Sequence, residues 1–429
     1  MLISNIMNIL FLNFLFYLCW FAVVWKNVRK PSLYIMMVAF LLSIAFLGWY
    51  TVENGIYYNV FGKYNVDSLS VEPYIYCFLA YLLMVYPLKK LSKEQINIDG
   101  LLENKRFEKF LVIWIVFISC YLVLKLAETY ITISTGLSEA YESRHIEGET
   151  LFEYNNILLN QLNGKGFFIL NATTPLIMAY SFIGLYKKKV STRFALFLIA
   201  LCFIPPILSS ISQGTRGGLF MNMFCFLFFV LVFNKYISRN NKKKLLIFSF
   251  LLISVIITYS WLITTERFGS NSKSTEGVSS ILRYFGEAFP NLGFRIWDNV
   301  INHPMGKRLF PEFFETTKNA LSIHESYLYW EQITGVPVIN FKTYFGDLYI
   351  EYGLIGAFVF ILFISIIFKI INKAFGITIY TLPILYIYFQ LCVYSFAGFT
   401  KGGWHTIFQL IIILTINYWI KYHVSKKRQ

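Results

Sequence analysis

The feature that most constrains this chain is the recurrence of long apolar runs, each about the 17 to 25 residues that a helix needs to cross a bilayer. Eleven can be placed, near residues 2–25, 32–51, 72–88, 109–127, 166–186, 193–211, 217–234, 245–264, 345–368, 375–396 and 404–420. In lipid every backbone N–H and C=O must find its partner within the protein, so runs of this kind fold as helices. The expected fold class is an all-α polytopic membrane protein, with about eleven transmembrane helices in a single membrane domain over 1–429. Composition agrees, with 57% of residues hydrophobic and only 14% charged.

A net charge of +15 would suggest a nucleic-acid partner in a soluble protein, so the position of the charge decides its meaning. Most of the 38 Lys and Arg fall in alternate connections: Lys26, Arg29 and Lys30, then 89–109, Lys187, Lys188, Lys189 and Arg193, 235–244, Lys369 and Lys373, and the C-terminal tail. Basic connections stay in the cytoplasm, which sets the N-terminus outside and the C-terminus inside. The charge is then topological, and no nucleic acid is expected. Six cysteines all lie within apolar runs and form no CxxC pair, which predicts small core residues. The first 25 residues carry neither a charged leader nor a small-residue cleavage site, and are expected to be a retained span.

This orientation places outside the one large connection, 265–341, and a smaller one, 128–156. The inner connections are mostly short. Neither GxxxxGK[ST] nor GxGxxG occurs, which argues against a nucleotide-driven pump or a nucleotide-sugar enzyme. In the large connection, SSILRYFGEAF puts Ile281, Leu282, Phe285 and Phe289 on one side, predicting an interfacial helix ended by Pro290. A second helix is predicted over 312–332. Connections of this length in compact proteins are usually lids or binding elements.

Between the sixth and seventh runs stands ISQGTRGG (211–218), a tight turn in which Gly214, Gly217 and Gly218 open backbone conformations closed to other residues. Arg216 there reads as a helix-end side chain snorkelling to the interface or as an anion ligand at a helix N-terminus. The outer ionisable set also holds Arg144, His145, Arg267, Arg283, Arg295, His303, Arg308, His324, Lys342, Asp347 and Glu351. Guanidinium forks suit phosphate, and no HExxH, DxD or helically spaced His pair points to a metal. His324 reads as a solvated loop histidine or a general base, and His145, set among charges, as a solvated one. Asp347 and Glu351, four apart at the start of a span, either hydrogen-bond sugar hydroxyls or neutralise Lys342. Lys125 and Glu128, three apart, are expected to pair with each other.

The TRGG turn, HPMGKRLF (303–310), HESYLYW (324–330) and NFKTYFGDLYIEYGLIG (340–356) together resemble the bacterial O-antigen and capsular polysaccharide repeat-unit polymerases of the Wzy type, relatives of the O-antigen ligases. The resemblance implies a membrane glycosyltransferase of the GT-C kind in the cytoplasmic membrane, inverting and without cofactor or metal. Its substrates would be undecaprenyl-pyrophosphate-linked oligosaccharides within the membrane lipid, and a chain-length regulator protein would be a partner. Carried onto this chain, Arg216 would bind the leaving pyrophosphate, and His324 would act as base or orient the acceptor. Asp347 and Glu351 compete with His324 for the base, because Glu325 stands where the ligase histidine is usually followed by Asn. Arg144, Arg267, Arg283, Arg295, Lys342, Asp347 and Glu351 are the expected substrate-binding set, Arg283 and Arg295 on charge alone. The alternatives are a flippase for lipid-linked oligosaccharides and a ligase-type glycosyltransferase.

Overall fold

The computed structural model describes residues 2–28, 32–58, 69–91, 96–97, 105–143, 154–188, 190–214, 217–268, 275–310, 323–338, 341–375, 377–378, 381–394 and 403–426. In chain order its main helices are α1 (Leu2–Asn27), α2 (Leu33–Glu53), α3 (Glu72–Val85), α4 (Lys105–Thr135), α5 (Leu137–Glu142), α6 (Ile157–Lys187), α7 (Thr192–Ser212), α8 (Gly217–Phe233), α9 (Arg239–Phe268), α10 (Thr275–Gly286), α11 (Ala288–Asn291), α12 (Ile323–Thr334), α13 (Tyr344–Phe375), α14 (Leu382–Val393) and α15 (Gly403–Lys426). Each apolar run lies on one of these helices. Seven of them, α1, α2, α4, α6, α7, α9 and α13, are long and apolar enough to cross a membrane, and α3, α8, α14 and α15 carry shorter apolar stretches. Large apolar side chains stand exposed along α4 (Val112, Val116, Val123), α9 (Leu246, Phe250, Ile257) and α13 (Ile355, Val359, Phe363), as lipid-facing surfaces require. The chain is thus an all-α membrane protein. Its only strands among the described residues are Ile96–Asn97 and Ile377–Thr378, a two-residue parallel pair.

The helices divide into two compact units. The first comprises Met1–Glu94, Asn271–Lys373 and Leu391–His405. Here α2 packs against α1 and also receives α10 and α11. Two glycines set the α2–α10 crossing: a Cβ on Gly286 would lie 2.6 Å from the Leu47 carbonyl oxygen, and one on Gly48 would lie 3.2 Å from that of Gly286. So α10, the helix expected from SSILRYFGEAF, packs closely on α2. The helical path does not end at Pro290. It turns at Glu287, resumes in α11 and continues as a π-helical turn, Leu292–Ile296. Pro290 falls in the first turn of the new helix, where its missing N–H would have had no helical partner. The second helix expected in this connection is α12, at Ile323–Thr334, while 311–322 lie outside the described residues. Ile296, Val336 and Ile350 form a small core joining the π-helical turn, the end of α12 and the start of α13. Trp297 stacks on Tyr349 beside it, ring centroids 4.7 Å apart.

The second unit comprises Gln95–Ser270, Ala374–Gln390 and Thr406–Gln429. Its α7 touches α4, α6 and α8. Apolar all round, α8 is buried accordingly: Phe226, Phe228, Phe229 and Phe233 are enclosed, against Phe182 of α6 and Tyr386 of α14. Pro206 has no N–H to give the Cys202 carbonyl one turn back, and Asn222 Nδ2 of α8 donates to that oxygen at 3.4 Å. Between α7 and α8 the turn uses Gly214 at φ +58°, whereas Gly217 and Gly218, expected in the turn, open α8. Lys125 and Glu128 pair as expected, at 2.5 Å, and Asn163 of α6 adds a third member by donating to the same carboxylate oxygen at 2.7 Å. Cys77, Cys202, Cys225 and Cys392 are buried, but Cys19 and Cys120 lie exposed on outward helix faces and are not core residues.

The α2–α10 contact makes a directional prediction. Helix propensity alone favours Ala over Gly by about 1 kcal/mol. Yet Gly286→Ala puts a methyl into backbone atoms that cannot swing away, so the variant is expected to lose about 1–3 kcal/mol. Thermal unfolding in detergent would read this as a lowered midpoint, against no such loss for Gly218→Ala, whose added Cβ would meet no atom closer than 3.7 Å.

Candidate functional site

The richest polar arrangement in the first unit is built around a break in α13. At Gly353 the backbone turns to φ 70°, ψ −176°, a conformation that favours glycine. A regular helix would have bonded the Ile350 and Glu351 carbonyls to the N–H groups of residues 354 and 355. The break releases both, and the HPMGKRLF strap takes them. His303 Nδ1 lies 2.9 Å from the Ile350 oxygen, and Met305 N–H donates to the Glu351 oxygen at 3.0 Å. Gly353 also makes room for the ring, since a Cβ there would lie 3.3 Å from His303 Nε2.

Charge then locks the strap down. Arg308 donates through Nε to Glu351 Oε2 at 3.0 Å, and its terminal nitrogen reaches the Asp347 carboxylate at 2.8 Å and the Asp347 carbonyl at 3.0 Å. Glu351 Oε1 accepts from Gly306 N–H at 2.6 Å and from Arg308 N–H at 3.3 Å. Lys342 stands 3.8 Å from Asp347 and donates to the Val338 carbonyl. All four charged residues are nearly or wholly enclosed, with Asp347 and Glu351 at 0% exposure. Two cations face two anions, which is the condition for burying such charges at all. Of the two roles open to Asp347 and Glu351, their geometry fits the neutralising one. Their main partner is Arg308, some 40 residues away in sequence, with Lys342 second.

A second cluster lies between α10 and the π-helical turn. Arg283 and Arg295, chosen from the sequence on charge alone, both act on one carboxylate, Glu287. Arg283 Nε stands 3.6 Å from Glu287 Oε2, and Phe341 N–H donates to Oε1 at 3.4 Å. Burial pushes the Glu287 carboxyl up to about 7, against the opposing pull of Arg283, of the Phe341 N–H and of Arg295. Asn291 binds next to it, accepting from Tyr57 Oη at 2.8 Å and donating to the Phe341 carbonyl at 2.7 Å. Both arginines are only half-buried, so the cluster joins a closed carboxylate to partly open guanidinium groups.

The remaining sequence candidates are distributed as follows. Arg216 and Arg144 lie outside the described residues, as does His145. His324 and Arg267 have helical backbones in α12 and α9, with side chains outside the described set. Sequence reasoning left Glu287 and Asn291 unassigned. The i, i+4 spacing of Arg283 and Glu287 was the available signal for the first. No family model, no curated protein and no solved structure matches this chain.

Two outcomes are expected. Arg308→Leu leaves Asp347 and Glu351 buried against each other, which costs about 3–5 kcal/mol. Asp347→Asn with Glu351→Gln in the same chain should recover part of that loss, as measured by thermal unfolding. Glu287 binds a proton more tightly folded than unfolded, so the stability it contributes is full below the ordinary carboxyl value of 4.5 and is lost as pH rises through about 7. Across that window wild type should lose stability relative to Glu287→Gln, and parallel pH–stability curves for the two would contradict the assignment.

Proposed function

We propose that this chain polymerises undecaprenyl-pyrophosphate-linked oligosaccharide repeat units into a surface polysaccharide, by metal-independent, inverting glycosyl transfer on the outer side of the bacterial cytoplasmic membrane. In this reading all eleven apolar helices span the membrane in a GT-C-like arrangement, with the N-terminus outside. The observation that carries it is the junction of HPMGKRLF with NFKTYFGDLYIEYGLIG. Two motif blocks separated in sequence are halves of one folded element, stitched by Arg308, His303 and the freed carbonyls of α13. A structured element of this kind in the longest connection is what a lipid-linked sugar substrate needs for orientation.

The chemistry follows from the residue types. A lipid pyrophosphate is a good leaving group, and fixed guanidinium groups stabilise the charge that develops on it. Arg216 is assigned to that pyrophosphate, with Arg144, Arg267, Arg283 and Arg295 as further anion contacts. His324 is assigned to the acceptor as base or orienting group. Lys342, Asp347 and Glu351 act through the strap they hold, and not by direct contact with sugar.

Deletion of the gene followed by glycan gel analysis tests the reading. A polymerase deletion leaves surface glycans carrying a single repeat unit. Loss of all surface glycan would instead favour a flippase. In the complemented strain, Arg216→Lys keeps the charge and loses the bidentate fork, so long polymer should collapse at an unchanged level of protein in the membrane.

A further inference from the structure

We propose that His303 is the base that takes the proton from the acceptor sugar hydroxyl, leaving His324 to orient the acceptor. This rests on the polymerase reading. A carbonyl oxygen only accepts, so the Nδ1 that lies 2.9 Å from the Ile350 oxygen carries the ring's hydrogen, and Nε2 of the neutral imidazole is a bare lone pair. Among the described residues Nε2 has no hydrogen-bond partner, and the ring is only half-buried. One nitrogen is anchored and the other is free to accept, the division of labour by which an orienting hydrogen bond prepares a histidine for proton transfer.

Three further features hold the ring in that state. The Ile350 carbonyl is available because α13 breaks at Gly353, and the same glycine leaves the space beside Nε2 empty of a Cβ. The Tyr349 ring stands edge-on to the imidazole at 6.0 Å between centroids. The neighbouring charges, Arg308, Asp347 and Glu351, are occupied with one another, and Glu351 spends its side-chain oxygens on Gly306 and Arg308. Neither carboxylate is placed to compete for the proton. In the step itself the acceptor O–H bond breaks and its proton moves to Nε2. The oxygen's electron pair forms the new bond to the anomeric carbon, and the bond from that carbon to the lipid pyrophosphate breaks, its electrons leaving with the pyrophosphate.

The test uses full-length protein in proteoliposomes, supplied with lipid-linked repeat units extracted from a strain lacking the gene. His303→Asn is the informative variant, because an Asn side-chain amide can keep the donor to the Ile350 carbonyl and has no basic nitrogen. It should retain the thermal transition of wild type and lose polymer formation by about 100- to 10,000-fold. Polymerisation by folded His303→Asn at the wild-type rate would overturn the proposal and leave His303 as a structural anchor. Should that variant not accumulate, His303→Gln decides in the same way: loss of turnover with retained binding of the lipid-linked units supports the base, and wild-type turnover refutes it. If wild-type protein itself makes no polymer from these units, the polymerase reading fails first.

Discussion

Arg308 is the interaction on which the described part of the long connection depends. A guanidinium at 4% exposure is tolerable only where anions surround it, and it finds Asp347 and Glu351 one helical turn apart at the head of α13. Removal of any one member strands a charge in a medium that cannot solvate it. The cluster therefore behaves as a single lock. Through it the strap from His303 to Phe310 is fixed to α13, and the backbone of that strap is close enough to take over the carbonyls that Gly353 releases. Break and lock support each other: the kink supplies acceptors, and the salt bridges hold the donors in front of them.

Much of the helical layout was legible because the bilayer simplifies the problem. A run of apolar residues in lipid has one cheap backbone solution, so hydropathy alone located a helix at each of the eleven runs. Pairing along one helix was legible too, as Lys125 with Glu128 shows, since three- and four-residue spacings bring side chains together wherever the helix sits. Partners far apart in sequence were not. The Asp347 and Glu351 pair was visible, but its cation was sought at Lys342, five residues before Asp347, when the main partner is Arg308. Proline misled for a related reason. Pro290 stops a helix only where its N–H is needed, and the turn at Glu287 moves it into a first turn, where it is not.

The two charged clusters of the first unit differ in kind. Around Arg308 the charges are matched and enclosed, which gives rigidity. Around Glu287 one buried carboxyl with a raised proton affinity faces two half-buried arginines. A glycosyltransferase acting on lipid pyrophosphates needs both: a fixed frame for two sugars and cationic groups that answer the charge of the leaving group.

The central claim is that this chain forms glycosidic bonds between lipid-linked units. Stoichiometry reads this most directly: purified protein in proteoliposomes would be given radiolabelled repeat units on undecaprenyl pyrophosphate, with no nucleotide added. The account predicts a ladder of longer glycans and one undecaprenyl pyrophosphate released for each unit joined. Units that cross the bilayer unchanged, with no lipid pyrophosphate released, would contradict it.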